Sequence, residues 1–198
     1  MAQQTTCADE NLPRLPLGQR LEWLLARQGV LFALILAAGV LCRLVQYLWR
    51  TSYWHDESFL VYNVIRRSPG ELIGALDVAQ TAPPAFLILA DLLTQAAGES
   101  EFTLRLLPML CSVVGLLLLA MLARKLLSPG AALLVTTLAA FGPTLLIHAG
   151  EFKQYSSDAM STTLLLAIWI WPAKQPRHWL RLLLLAVVTA AILWFSET

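Results

Sequence analysis

Apolar runs too long for a soluble core divide the chain. Leu106–Ala123 carries no charge, and neither does Leu126–Ile147, although Ser128-Pro129-Gly130 makes the first residues of that run a turn. Gly29–Trp49 is apolar apart from Arg43 and Gln46. Ala159–Ala173 and Leu182–Ser196 are shorter and are lengthened by interfacial Trp and Ser. A hydrocarbon layer of about 30 Å takes about 20 helical residues. The pattern therefore predicts five membrane-spanning helices. The first is expected to be retained rather than cleaved as a leader, because 27 polar-rich residues precede it and no small-residue cleavage pattern follows.

A sixth run, Pro84–Ala97, contains Asp91. As a helix it would be about 21 Å long, short of a comfortable crossing. Charge provides a separate test, since basic residues collect on the cytoplasmic side. If this run lies flat and the N-terminus is inside, Arg14, Arg20, Arg27, Arg124, Lys125, Lys174, Arg177 and Arg181 all face the cytoplasm. If it spans, the last five of these face outward. Pro84–Ala97 is thus predicted to be an interfacial helix. The layout that follows is a cytoplasmic tail over 1–28 and a transmembrane module over 29–198. An external loop at 51–104 holds two interfacial helices, Glu57–Arg67 and Pro84–Ala97. A second external segment lies near Gly150–Ser157.

Composition agrees with this layout. The chain of 198 residues is 58% hydrophobic and 14% charged, with mean hydropathy +0.64 and net charge +1. So few charges cannot coat a soluble particle of this size, and they exclude a disordered tail or a basic nucleic-acid binder. The fold class is all-α, a polytopic membrane protein whose surroundings are membrane lipids, with no nucleic acid partner. Cys7, Cys42 and Cys111 are far apart and form no metal-ligand spacing, which argues against a disulfide framework or a zinc site. Trp49, Trp54, Trp169, Trp171, Trp179 and Trp194 fall near the proposed boundaries as an aromatic belt. In the predicted topology the cytoplasmic face holds eight basic and three acidic residues, and the external face five basic and ten acidic. Chemistry is therefore sought on the outer, acidic face.

Four motifs there carry reactive groups. In Tyr53-Trp54-His55-Asp56-Glu57-Ser58, Asp56 has the chemistry to take a proton from a substrate hydroxyl or to help hold a divalent cation such as Mg or Mn. The plainer alternative is that Asp56 caps a helix beginning near Glu57. His55 is either a ligand or an interfacial polar residue. In Glu151-Phe152-Lys153-Gln154-Tyr155-Ser156-Ser157-Asp158, Lys153 and Tyr155 suit an anionic phosphate, and Glu151 suits a substrate hydroxyl or a cation. The alternative is a solvated turn in which Asp158 caps the next helix. Gln80-Thr81-Ala82-Pro83-Pro84 is a rigid turn into a helix, with Gln80 able to face a site. Arg105 either snorkels to headgroups or binds a lipid phosphate. Arg43 is an intramembrane charge, which flags function weakly and is within reach of the outer interface.

The order of these motifs is more informative than any one of them. Trp54-x-Asp56-Glu57 is followed by Gln80-x-Ala82-Pro83-Pro84, then Gly98-Glu99-Ser100-Glu101-x-x-x-Arg105-Leu106, then Glu151-x-Lys153-Gln154-Tyr155-Ser156-x-Asp158. Over about residues 28–198 this resembles the N-terminal part of bacterial glycosyltransferase family 39. Its members have the GT-C fold and depend on polyprenyl-phosphate sugars; they include relatives of protein O-mannosyltransferases and of the aminoarabinose transferases of lipid A. The resemblance implies an inverting transfer from a polyprenyl-phosphate-linked sugar donor to a lipid, glycan or protein hydroxyl, at the external or periplasmic face of the cell (inner or plasma) membrane. It casts Asp56 as general base and Glu57 as its partner. Glu151, Lys153 and Tyr155 line the site, and Arg105 stands at the outer end of helix two. Gln80 and His55 complete the candidate substrate-binding set.

The chain departs from the family in two respects. Several branches carry a Lys or His immediately before the Pro-Pro pair, where this chain has Ala82, so phosphate contact is expected to come from elsewhere. Family chains are also much longer, so these 198 residues are expected to be an N-terminal portion whose activity alone is in question. Two other classes stay open at this level: a transporter or channel fragment, and a non-catalytic lipid-binding or assembly subunit. Transporters place ionisable groups near the bilayer midplane. Here the spans are clean apart from Arg43 and the polar groups gather at one face, which favours an interfacial enzyme.

Overall fold

The structure, a computed structural model, describes residues 17–49, 52–170 and 178–196. Every regular element among them is helical. In chain order these are α1 (Leu17–Leu48), α2 (His55–Arg66), 3-10 turns at Glu71–Ile73 and Asp77–Ala79, α3 (Pro84–Ala97), α4 (Glu101–Leu126), α5 (Pro129–Phe141), α6 (Pro143–Ala149), α7 (Tyr155–Ile170) and α8 (His178–Phe195). This is the all-α membrane architecture that the apolar runs imply.

Several limits follow directly from local chemistry. Pro84 opens α3 at a position where its missing N–H costs nothing, and Gly98 closes it with φ of +86°, a conformation other residues resist. Ser100 caps α4 by accepting from the Thr103 N–H at 3.1 Å, and Arg124 and Lys125 sit in its last turn, where the helix dipole favours cations. α1 begins at Leu17 and its membrane-spanning stretch at Gln28, so the helix continues from the span into the segment expected as a tail. The remainder of the expected tail, Trp171 and the first half of the turn expected at 174–181 lie outside the described residues.

Among the described residues, two helical stretches are long and apolar enough to cross a bilayer alone, Gln28–Leu48 within α1 and the whole of α4. The run expected as one helix over Leu126–Ile147 is instead α5 and α6, which together make a span bent by 47°. The cause is Gly142-Pro143: proline has no N–H for the carbonyl four residues back, and its ring crowds that carbonyl. Within the described residues α7 has 16 residues, and the apolar part of α8 runs from Leu182 to Phe195.

Arg43 holds the bend together. It is 1% exposed, so it does not snorkel to the interface as its position near the end of α1 allowed. Pro143 leaves the Ala139 carbonyl without a helical donor, and Arg43 Nη2 donates to that oxygen at 2.9 Å. Nη1 donates to the Ala140 and Gly39 carbonyls, each at 3.0 Å, and Nε to Ser112 Oγ at 2.8 Å. One guanidinium thus joins α1, α4 and the broken α5. The close approach depends on Gly39: a Cβ there would lie 2.8 Å from the Ala140 Cβ. α4 runs through the centre of the molecule, packing on α1, α3, α5, α6 and α7.

A second core lies in the layer formed by the long loop. Leu60 and Val64 of α2, Phe86 and Leu87 of α3, Leu104 of α4 and Phe152 of the α6–α7 loop are all buried together. Burying each large apolar side chain stabilises by about 1.5–3 kcal/mol. The loop from residue 52 to residue 100 is therefore a packed layer, built against the end of the bundle that carries the candidate residues.

Candidate active site

Glu57 is the organising residue of this layer. α2 begins at His55, with Trp54 as N-cap, so Glu57 occupies the third helical position. From there its Oε2 accepts from the Trp54 N–H at 2.9 Å, closing the first turn on itself. Its Oε1 accepts from the Phe152 N–H at 2.6 Å, which ties the α6–α7 loop to α2. Arg105 Nη2 lies 3.3 and 3.4 Å from the two oxygens, and both side chains are almost wholly buried. The backbone donors are closer than the guanidinium, so amides and counter-charge share the work of stabilising the carboxylate.

Arg105 is committed on both sides. Besides Glu57, its guanidinium lies over the Tyr53 ring, 4.7 Å from the centroid. Neither snorkelling nor an open phosphate site describes it, because it is 3% exposed. The Tyr53 hydroxyl is pushed up to about 12, chiefly by burial. Nearby Arg105 opposes that rise, and Glu101 and Glu57 add to it.

Asp56, one residue from Glu57, is exposed and makes no hydrogen bond or ion pair among the described residues. It does not cap α2, because the helix has already begun. Two neighbouring carboxylates thus have opposite fates, one enclosed and one free to act. His55 is exposed and packs edge-on against Phe59, 4.4 Å between centroids, rather than against another candidate residue.

The α6–α7 loop brings most of the remaining candidates together. Phe152 is fully buried and stacks on Phe86 at 5.5 Å, which anchors the loop to α3. Lys153 Nζ donates to Gln80 Oε1 at 3.0 Å, so Gln80 does face the second motif. Glu151 Oε2 is 2.7 Å from His148 Nδ1, and the Tyr155 ring lies 4.5 Å from the His148 ring. Asp158 is inside the first turn of α7 rather than at its cap, and accepts from Ser196 Oγ at 2.8 Å.

The stretch leading to Gln80 is held from α2. Buried Asn63 accepts from the Asp77 N–H at 2.8 Å, and Arg67 pairs with Asp77 at 2.8 Å and donates to the Ala75 carbonyl at 2.7 Å. Val78 and Ala79 then take φ of 60° and 51°. A β-branched residue in this region is strained, and surrounding contacts must hold it there. These clamps deliver Gln80 to Lys153.

Sequence reasoning missed His148, Asn63 and Phe152. The spacing of His148 to Glu151, three residues apart across the end of α6, is a legible signal. The apolar run that ends at Ile147 masks it. Asn63 and Phe152 act through burial and backbone contacts, for which no local pattern exists.

Among the described residues no group of three or more His, Cys, Asp and Glu side chains converges as a metal site. Glu57 is taken by amides and Arg105, and Glu151 by His148. A hard divalent cation asks for several oxygen ligands, and of these three acids Asp56 alone is without a partner among the described residues.

The class of protein, a membrane glycosyltransferase of the GT-C type, is given by its family. A sequence profile of the dolichyl-phosphate-mannose-protein mannosyltransferase family matches residues 81–195, more than half of the chain, and the chain belongs to that family. No curated protein and no solved structure matches it.

Proposed function

We propose that this chain moves a sugar from a polyprenyl-phosphate donor to a lipid, glycan or protein hydroxyl by inverting displacement, with Asp56 as the general base. The observation that carries this reading is the division between Asp56 and Glu57. Glu57 is enclosed and builds the site, while Asp56 stands exposed, without a partner among the described residues, beside the loop that bears Lys153. In this reading the acceptor oxygen bonds to the anomeric carbon as the bond from that carbon to the phosphate oxygen breaks. The hydroxyl proton passes to Asp56, and negative charge grows on the departing phosphate, where Lys153 lies to meet it. Tyr155 and Glu151 belong to the same loop. No step is routed through a divalent cation.

The site is proposed to face the outside of the cell (inner or plasma) membrane. The burial of Arg43 supports an enzyme over a transporter, since the charge inside the bundle is spent on carbonyls rather than left open to a passing substrate. Membranes containing the full-length protein and a radiolabelled polyprenyl-phosphate mannose test the reaction. Wild type is expected to transfer label, and Asp56→Ala to lose at least about 100-fold, the scale of a general base. Unchanged transfer in the variant removes Asp56 as base. Reporter fusions at Leu76 and Leu127 test the orientation; a cytoplasmic signal at the first or an external one at the second overturns it.

A further inference from the structure

The proposed transfer places a second negative charge on the departing phosphate, and the site residues differ in how freely they can answer it. Arg105 is withdrawn: it is buried and committed to Glu57 and the Tyr53 ring. Lys153 is held by the neutral carbonyl oxygen of Gln80, which leaves its charge uncancelled. One other basic group sits in the α6–α7 region. His148 ends the second arm of the bent span, and its ring is fixed on two sides. Nδ1 meets Glu151 Oε2 at 2.7 Å, and Tyr155 packs against the ring at 4.5 Å. Its carbonyl accepts from Ser156 Oγ at 2.8 Å, which fastens the end of α6 to the start of α7. A carboxylate on Nδ1 holds the ring proton there. Nε2 is the remaining nitrogen, and it has no hydrogen bond among the described residues.

We infer that His148 is a further substrate-binding residue of this site: as imidazolium, oriented by Glu151, it donates from Nε2 to the phosphate of the polyprenyl-linked donor alongside Lys153. The inference rests on the transferase reading above. Glu151 is then a positioning residue, acting through His148 rather than on the sugar. During transfer the electron pair of the breaking bond goes to the phosphate oxygen, which changes from a diester monoanion to a monoester. The acceptor proton goes to Asp56, and the imidazolium keeps its own proton while its hydrogen bond strengthens.

Charged and titratable groups surround His148. Glu151 and Tyr155 touch it. Lys153 lies on the same loop, and Asp158 lies further along α7. On the other helices packed against α6, Arg43 and Tyr47 belong to α1 and Glu101 and Arg105 to α4; Arg43 and Arg105 are enclosed by partners of their own. α5 carries no titratable side chain.

The test uses the full-length protein in phosphatidylcholine discs, with polyprenyl-phosphate mannose as donor and polyprenyl phosphate as binding probe. His148→Gln is expected to raise both the KM for donor and the Kd for the probe about tenfold, the scale of one charge-assisted hydrogen bond. His148→Lys restores the charge and is expected to come back to within about threefold of wild type. Adding Glu151→Gln to His148→Gln is expected to weaken binding no further. Equal binding by wild type and His148→Gln overturns the inference, as does equal loss in the Gln and Lys variants, which marks a purely structural role. Discs of phosphatidylglycerol without the probe distinguish a general headgroup site: a His148-dependent signal from that lipid alone also overturns it. Transfer by wild type with an unchanged KM in His148→Gln defeats this inference and spares the transferase reading. His148-dependent probe binding without transfer does the reverse, and a wild type that neither binds nor transfers defeats both.

Discussion

In the membrane bundle the buried charge is Arg43, and among the described residues no carboxylate meets it; three carbonyls and a serine hydroxyl do. In the loop layer a buried charge is Glu57, met by two backbone amides and the counter-charge of Arg105. Each joins three stretches of chain that are distant in sequence, but the dependence differs. Arg43 relies on a backbone break, because Pro143 is what exposes the Ala139 carbonyl. Glu57 relies on a side-chain partner and on the path of the α6–α7 loop. One knot is made by a defect in a helix, the other by an ion pair between helices.

The sharpest way to break the comparison is Arg43→Met. It leaves two carbonyls and the Ser112 hydroxyl unpaired in an apolar bundle, and is expected to destabilise by about 3 kcal/mol or more, read from denaturant or thermal unfolding in detergent. Pro143→Ala gives the Ala139 carbonyl a helical donor. The double variant is therefore expected to recover about 1 kcal/mol of that loss. Strict additivity of the two substitutions sinks the link between the arginine and the bend.

Glu57→Gln comes next. The amide keeps the size but loses the charge and one acceptor, and Arg105 is left buried without its counter-ion. A loss of about 3 kcal/mol is expected, with weaker transfer because Phe152 no longer fixes the loop bearing Lys153. Adding Arg105→Met is expected to return part of the stability while transfer stays low. A fully stable Glu57→Gln shows instead that amides alone hold the layer.

The smallest effect is alkaline. The folded-state value for Tyr53 is raised to about 12 from an ordinary 10.0, so the folded form keeps a proton that the unfolded form gives up. The associated stability is fully present below about pH 10 and is lost as pH rises toward about 12. Tyr53→Phe is expected to flatten that part of the stability profile. An unchanged slope assigns the alkaline loss to another group.

Much of this architecture is legible in the order of residues alone. Pro84–Ala97 is a helix with the limits its sequence predicts, because proline at a helix start and glycine at its end are chemical stops. Charge set against apolar runs marks both loops that hold the candidate residues. Gly142-Pro143 is equally visible, but length alone argues for one continuous helix there. The pairing of Gln80 with Lys153 is not legible, because it depends on Asn63 and Arg67 clamping a strained turn 14 and 10 residues away in the chain.

The sequence by itself determined the class of molecule, the apolar helices and the loops that hold the candidate residues, since each follows from hydrophobic length and local backbone preference. Only the tertiary structure decided what each charge does. Successive helix residues point about 100° apart, so the docking of α2 buries Glu57 and frees Asp56. A bend in the neighbouring span turns Arg43 from a stray charge into a clasp, and the fastening of α6 to α7 sets His148 against Glu151. Those outcomes depend on contacts between segments that local pattern does not encode.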